Sequence, residues 1–170
     1  MGAAPAGFPL DAELVYQRKT MRVAGRLRLE GASGQLSFRY QLSDGAGAPV
    51  VLEEAEGRYA LLRPFPPAAR PQVSGNTISV GKERYTLVGT RRLKIVEALG
   101  QVPAGAAKAP LLLSGMFEGP KGTLMRELAP GTQRQTYFLV KPLRGGELLT
   151  AAQHAAARAA SRRTAGERDD

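Results

Sequence analysis

Residues 21–42 run MRVAGRLRLE (21–30), GASG (31–34) and QLSFRYQL (35–42). Both arms alternate apolar and polar residues. Side chains along a strand point to opposite faces in turn, so the alternation predicts two half-buried strands joined by a short glycine-rich turn. In the first arm Met21, Val23, Gly25, Leu27 and Leu29 share the inward face, with Arg22, Ala24, Arg26 and Arg28 on the other. In the second, Leu36, Phe38, Tyr40 and Leu42 face inward and Gln35, Ser37, Arg39 and Gln41 outward. A slip of one residue would expose every large apolar group, so the register is well specified. A glycine such as Gly25 inside a strand marks a bulge or a close approach by another backbone or an aromatic ring.

The same grammar extends in both directions. Residues 1–11 are rich in Ala, Gly and Pro and read as a flexible N-terminus. Glu13–Tyr16 reads as a short first strand. After the hairpin come a turn at 43–47, a strand at 50–52, an acidic solvated turn at Glu53-Glu54-Ala55-Glu56-Gly57 and a strand at 58–62. The prolines between Arg63 and Pro71 break the sheet. A second series opens with a hairpin around Gly75-Asn76. Strands at 84–89 and 93–98, a loop at 100–110, a hairpin turning at 118–122, a turn at 129–132 and a last strand at 135–140, ended by Pro142, complete it. Met21-x-Val23-x-Gly25 is echoed by Tyr85-x-Leu87-x-Gly89. Beyond Gly146 the chain is Ala-rich and predicts one helix, with Leu148, Leu149 and Ala152 docking on the sheet and a disordered tail after it.

The expected fold is therefore mainly β. Two related strand-rich halves, at about 12–66 and 72–143, form SH3-like small barrels or curved antiparallel sheets within one domain (12–143). A C-terminal helix and tail follow at 144–170.

Composition narrows the function. With no cysteine, disulfides, thiolate metal sites and thiol nucleophiles are excluded. The N-terminus has no basic n-region or apolar h-region, and no apolar run approaches the roughly 20 residues that span a bilayer. These features lead to an expectation of a cytoplasmic protein. The net charge of +9 invites a nucleic-acid reading. However, the cations are scattered, and Arg in an Ala- and Gly-rich chain also follows from GC-rich coding.

No catalytic constellation stands out. His154 is the sole histidine and sits in the Ala-rich helix without a carboxylate partner within a turn. Glu53, Glu54 and Glu56 are the densest carboxylates, but their spacing matches no calcium loop. G-x-S-x-G, the P-loop pattern and G-x-G-x-x-G are all absent. No cofactor or metal is expected. Phe38, Tyr40, Tyr59, Phe65, Tyr85, Phe117, Tyr137 and Phe138 could stack bases beside Arg39, Arg84, Arg91 and Arg92, as in an oligonucleotide-binding barrel. Phe38 and Tyr40 share the apolar parity of their strand, which places them in the core instead.

The motif order resembles a known family. It comprises Met21-x-Val23-x-Gly25-x-Leu27-x-Leu29, Leu36-x-Phe38-x-Tyr40-x-Leu42, the Asp44-Gly45 turn and an acidic turn bearing Gly57-Arg58-Tyr59. RYTLVG (84–89), KIVEALGQVP (94–103) and a hairpin ending Leu124-Met125-Arg126-Glu127-Leu128 follow. From about Leu14 to Leu143 this resembles the bacterial domain of unknown function 4178 family. That family's pattern carries an aromatic, often tryptophan, and an acidic residue around the second arm. Leu36 and Arg39 stand there instead, so a ligand site at that place would be lost or altered. Glu127 matches a late acidic position. The resemblance implies no established enzymatic activity and an accessory module encoded near membrane-stress and polyamine-synthase-like genes. The expectation is a non-catalytic module with a protein partner, its candidate surface being Arg22, Arg26, Arg28, Arg39 and Glu127. The alternative is a single-stranded nucleic-acid-binding barrel using an Arg-rich sheet face.

Overall fold

The 21–42 stretch forms β2 (Lys19–Glu30) and β3 (Leu36–Ser43), an antiparallel hairpin. The computed structural model describes residues 7–45, 50–102, 111–129 and 135–166. Expectations for residues 1–6, 46–47, 103–110, 130–132 and the tail beyond 166 lie outside the described residues.

Before the hairpin runs β1 (Glu13–Tyr16). After it come β4 (Val50–Ala55), β5 (Arg58–Pro64), β6 (Gln72–Ser74), β7 (Thr77–Val80), β8 (Glu83–Gly100), β9 (Leu111–Gly119), β10 (Gly122–Leu128), β11 (Gln135–Pro142), β12 (Leu148–Thr150) and α1 (Ala151–Gly166). The fold is mainly β with a C-terminal helix. The expected strands at 84–89 and 93–98 are one long strand, β8, because the polar run Thr90-Arg91-Arg92 between them continues the pairing with β9. Leu148–Thr150 extends the sheet beside β1 before the helix starts.

The sheet order is β12-β1-β2-β3-β4-β5-β11-β10-β9-β8-β7-β6, and an added β2–β8 pairing joins the two arms. The strands from β2 to β5 and from β11 back to β8 thus close into an eight-stranded antiparallel barrel. The two expected halves are curved sheets that close on each other, one seam being β5–β11 and the other β2–β8. The order is unchanged when read from the other end, with β12 matching β6, β1 matching β7, and β2 to β5 matching β8 to β11. The Met21/Tyr85 echo belongs to this repeat. Val23/Gly25 in β2 and Leu87/Gly89 in β8 both mark register shifts, so each half carries a bulge just before its glycine.

The first bulge corrects the expected faces. Val23 pairs with Leu42 and Gly25 with Gln41, so Ala24 is an extra residue and the strand's faces exchange there. Met21 and Val23 pack outside the barrel wall with Leu14, Tyr40, Leu42 and Leu52. Leu27 and Leu29 pack inside it with Leu93 and Leu112. Gly25 fulfils both readings of a strand glycine. A Cβ there would stand 1.7 Å from the Gln101 carbonyl oxygen, because the Gln101 amide donates to the Ala24 carbonyl at 2.9 Å.

Both faces of the first half are therefore buried. Its outer face is covered by the β1–β2 hairpin and by the segment before β1. Phe8 packs against the Tyr40 and Tyr59 rings at 5.2 and 5.9 Å, and the Asp11 amide donates to the Val23 carbonyl at 2.8 Å. Residues 8–11 of the expected flexible N-terminus are thus tied to the wall. On the second half, Ile78, Tyr85, Phe117 and Leu124 form the matching outer cluster under the β6–β7 hairpin. Helix α1 opens with a capping box. The Gln153 amide donates to Thr150 Oγ1 at 3.2 Å and the Thr150 amide to Gln153 Oε1 at 2.9 Å. From Ala151 to Arg162 its side chains are exposed except the half-buried His154.

Candidate functional site

Residues paired in register lie on one face of a sheet, so the barrel interior can be read from the pairings. Arg39 pairs with Glu53 across β3–β4, Arg91 with Ser114 across β8–β9, and Ser114 with Glu127 across β9–β10. All five side chains enter the lumen. Arg39 donates from Nε to Glu53 Oε2 at 3.3 Å and from Nη1 to Glu127 at 2.6 Å. Arg91 donates to both Glu53 oxygens at 3.1 and 3.3 Å, and to Met125 Sδ at 3.4 Å. Ser114 Oγ donates to Glu127 Oε2 at 3.0 Å. Apolar layers flank this polar one: Leu27, Leu29, Leu93 and Leu112 form one, Leu62, Met125 and Phe138 the other. An eight-stranded barrel is just wide enough for side chains to fill it.

Two arginines and two glutamates make the layer neutral. Burial works against the Arg39 charge, but Glu127 and Glu53 outweigh it and raise the pKa. Burial pushes the Glu53 carboxyl up, and Arg39 and Arg91 together outweigh that and hold it below the usual carboxylate range. In the outer core, Tyr40 donates to the buried Glu54 at 3.0 Å. Burial, then Glu54, pushes the neighbouring Tyr59 phenol up to about 12.

Two expectations are corrected here. Arg39 was placed outward, yet it is 5 % exposed. Its alternation with Phe38 and Tyr40 is real, but both faces of β3 are buried, and the second face is the lumen. Glu53 and Glu54 were placed in a solvated turn. They belong to β4, and the turn is reduced to Glu56-Gly57, both at positive φ. Of the five expected surface residues, the structure brings Arg39 and Glu127 together and disperses the rest. Arg22 is open to solvent, 3.8 Å from Asp11. Arg26 is held by Glu97 at 2.6 Å and by the Phe8 carbonyl at 3.2 Å, and Arg28 is half-buried. The arginine-lined face expected from β2 and β3 does not exist as one surface.

Sequence reasoning missed that Glu53, Arg91 and Ser114 share the layer with Arg39. The available signal was a charge inside an otherwise apolar strand: Arg39 sits between Phe38 and Tyr40, and Glu53 and Glu127 each have a leucine on one side, whereas Arg91, between Thr90 and Arg92, carried no such signal.

A second feature lies on the barrel's outer wall. Here β8 to β11 present Arg92, Lys94, Leu113, Arg126, Gln135 and Tyr137. Leu113 is 38 % exposed. Gln135 Oε1 accepts from Arg126 Nε and Nη2 at 3.2 and 3.0 Å and from the Tyr137 hydroxyl at 3.0 Å, which holds the three together. A shallow groove of about 350 Å³ adjoins this face, lined by Glu30, Gly31, Ala32, Arg92, Lys94 and Leu111.

Comparison with family models, with curated proteins and with solved structures finds no match. Among the described residues no group of three or more His, Cys, Asp and Glu could hold a metal ion, and no helix is long and apolar enough to cross a membrane.

Proposed function

We propose that this protein is a non-catalytic interaction module that works as part of a protein assembly. One observation carries the reading. Glu53 and Glu127, the carboxylates best placed for chemistry, are held by Arg39, Arg91 and Ser114 inside the barrel. Groups engaged in this way act as internal bracing, and recognition is left to the outer wall. The resemblance to the domain of unknown function 4178 family adds the context of an accessory role in a membrane-stress-linked bacterial assembly.

The test is cross-linking of the endogenous protein followed by size fractionation under native conditions. A stoichiometric complex with a second polypeptide is expected, and Glu53→Gln and Glu127→Gln variants that still fold should retain it. Elution as a lone monomer, or a folded Glu127→Gln variant that loses a measurable turnover, overturns the reading.

The single-stranded nucleic-acid reading draws on the basic balance. It is weakened by the burial of Arg39, Phe38, Tyr40, Tyr85, Phe117 and Phe138, since bases stack on accessible rings. An oligonucleotide titration at two salt concentrations tests it. Binding that weakens with salt, as counterion release requires, would support it.

A further inference from the structure

The two halves build the same outer wall, but they finish it differently. In the first half, Phe38, Tyr40, Leu52 and Tyr59 form a patch under Phe8. Register across the repeat puts Leu113 in place of Phe38, Gly115 in place of Tyr40, Arg126 in place of Leu52 and Gln135 in place of Tyr59. Within each set the links are the same: Tyr40–Leu52 and Gly115–Arg126 pair directly, and each is one step from the next pair, Phe38–Glu54–Tyr59 or Leu113–Leu128–Gln135.

Over the first patch runs the segment before β1, Phe8 and Pro9 leading into a turn in which the Ala12 amide donates to the Pro9 carbonyl at 3.2 Å. The Phe8 ring lies on Tyr40 and Tyr59, its amide donates to the Tyr40 hydroxyl at 3.0 Å, and its carbonyl accepts from Arg26. Over the second patch no described segment of chain is laid in the same way: Gly115 is met by this half's own Phe117 ring and Leu87, 3.0 and 3.4 Å from where its Cβ would stand. Leu113 stays 38 % exposed, and Arg92, Lys94 and Gln135 are exposed beside it.

The two patches also differ in charge. The outward positions of β9, β10 and β11 carry no carboxylate, whereas Arg126 and the adjacent Arg92 and Lys94 of β8 supply three cations. The acid next to them is Glu30 of β2, the cross-strand partner of Lys94, which leaves the face with an excess of positive charge.

We propose that the outer face of β8–β11 docks an extended segment of a partner protein. Its apolar anchor, flanked by carboxylates, would lie on Leu113 beside Arg92 and Arg126, as Phe8 lies on Tyr40 and Tyr59 in the first half. This rests on the interaction-module reading and names its surface. A nucleic acid fits less well, because the rings of this half are buried apart from Tyr137, whose hydroxyl is engaged by Gln135.

The probe is a fluorescein-labelled Asp-Glu-Phe-Pro-Leu-Asp-Glu peptide, titrated against the full chain. Parallel arms use the same peptide with lysines for its acids, an oligo-dT of similar charge, and phosphatidylglycerol vesicles. The acidic peptide should bind, the lysine version should not, and Arg92→Glu/Arg126→Glu should weaken binding by about tenfold or more. Leu113→Ser, which removes no charge, should weaken it severalfold, and Arg158→Glu on α1 should leave it unchanged. Circular dichroism confirms that each variant folds.

Peptide binding that survives both face variants overturns the proposal, as does absence of binding. Tighter binding of oligo-dT or of vesicles overturns it in favour of those polyanions, and self-association abolished by Leu113→Ser does so in favour of a second copy. If the native assembly forms with Arg92→Glu/Arg126→Glu in place, the surface is wrong while the interaction-module reading stands.

Discussion

Arg39 shows how much one buried charge can depend on its partners. Taking an ion out of water costs several kcal/mol, offset only when its opposite charges and hydrogen bonds are in place. Arg39→Met leaves Glu53 and Glu127 in the lumen with Arg91 as the one remaining arginine of the layer, and should cost about 3–5 kcal/mol in urea denaturation. Glu127→Gln keeps an acceptor for Arg39 and should cost less. Equal losses for the two would show that volume, not charge, matters there. The pH dependence has a definite sign. Glu53 is harder to protonate folded than unfolded. Its contribution is complete above its unfolded pKa, about 4.3, and is lost as pH falls through the lower folded value. Stability should therefore decline on acidification below about pH 4, and less steeply in Glu53→Gln. At the alkaline end the raised Tyr59 acts oppositely. Its contribution is complete below about pH 10 and disappears as pH rises towards the folded value of about 12, a decline that Tyr59→Phe should reduce. At this scale the sequence was least legible. Arg39, Glu53 and Glu54 read as solvated because alternation separates two faces without revealing that both are buried.

At the scale of the element, the turns were the most legible feature. Gly75-Asn76 and the Gly119–Gly122 connection carry residues that only certain backbone conformations favour, and both hairpins form there. β8 was legible only in two pieces, since its polar middle serves both faces, Arg91 the lumen and Thr90 and Arg92 the exposed outer wall. Gly25 could be singled out from sequence, but its contact could not, because Gln101 lies far along the chain and reaches it only across the β2–β8 seam. Gly25→Ala puts a Cβ into the Gln101 carbonyl and should cost more than about 3 kcal/mol. Its counterpart in the repeat behaves differently. A Cβ on Gly89 meets nothing within 4 Å, so Gly89→Ala should be neutral or stabilise by about 0.4–1 kcal/mol. Comparable destabilisation at both positions would mean that the seam contact does not set the cost.

For the molecule as a whole, stability is shared between halves. Leu27 and Leu29 of the first half pack against Leu93 and Leu112 of the second, and Arg39 of the first meets Glu127 of the second. Neither half encloses these groups alone. Fragments 7–66 and 72–143 should each lack a cooperative unfolding transition and regain one on mixing. A cooperative transition in either isolated fragment would contradict a shared core. The sequence made two related strand-rich halves legible through the Met21/Tyr85 echo. Closure was not legible, because the β2–β8 pairing joins residues some seventy positions apart and leaves no local pattern. The extra residue at Ala24 also has an evolutionary consequence. Nearly every substitution at this small side chain would be milder than its loss. Removing it would leave composition and hydropathy almost unchanged, yet rotate either Met21 and Val23 or Leu27 and Leu29 onto the wrong side of the wall. Lineages carrying this barrel should therefore tolerate varied residues at position 24 but no change of length between Val23 and Gly25.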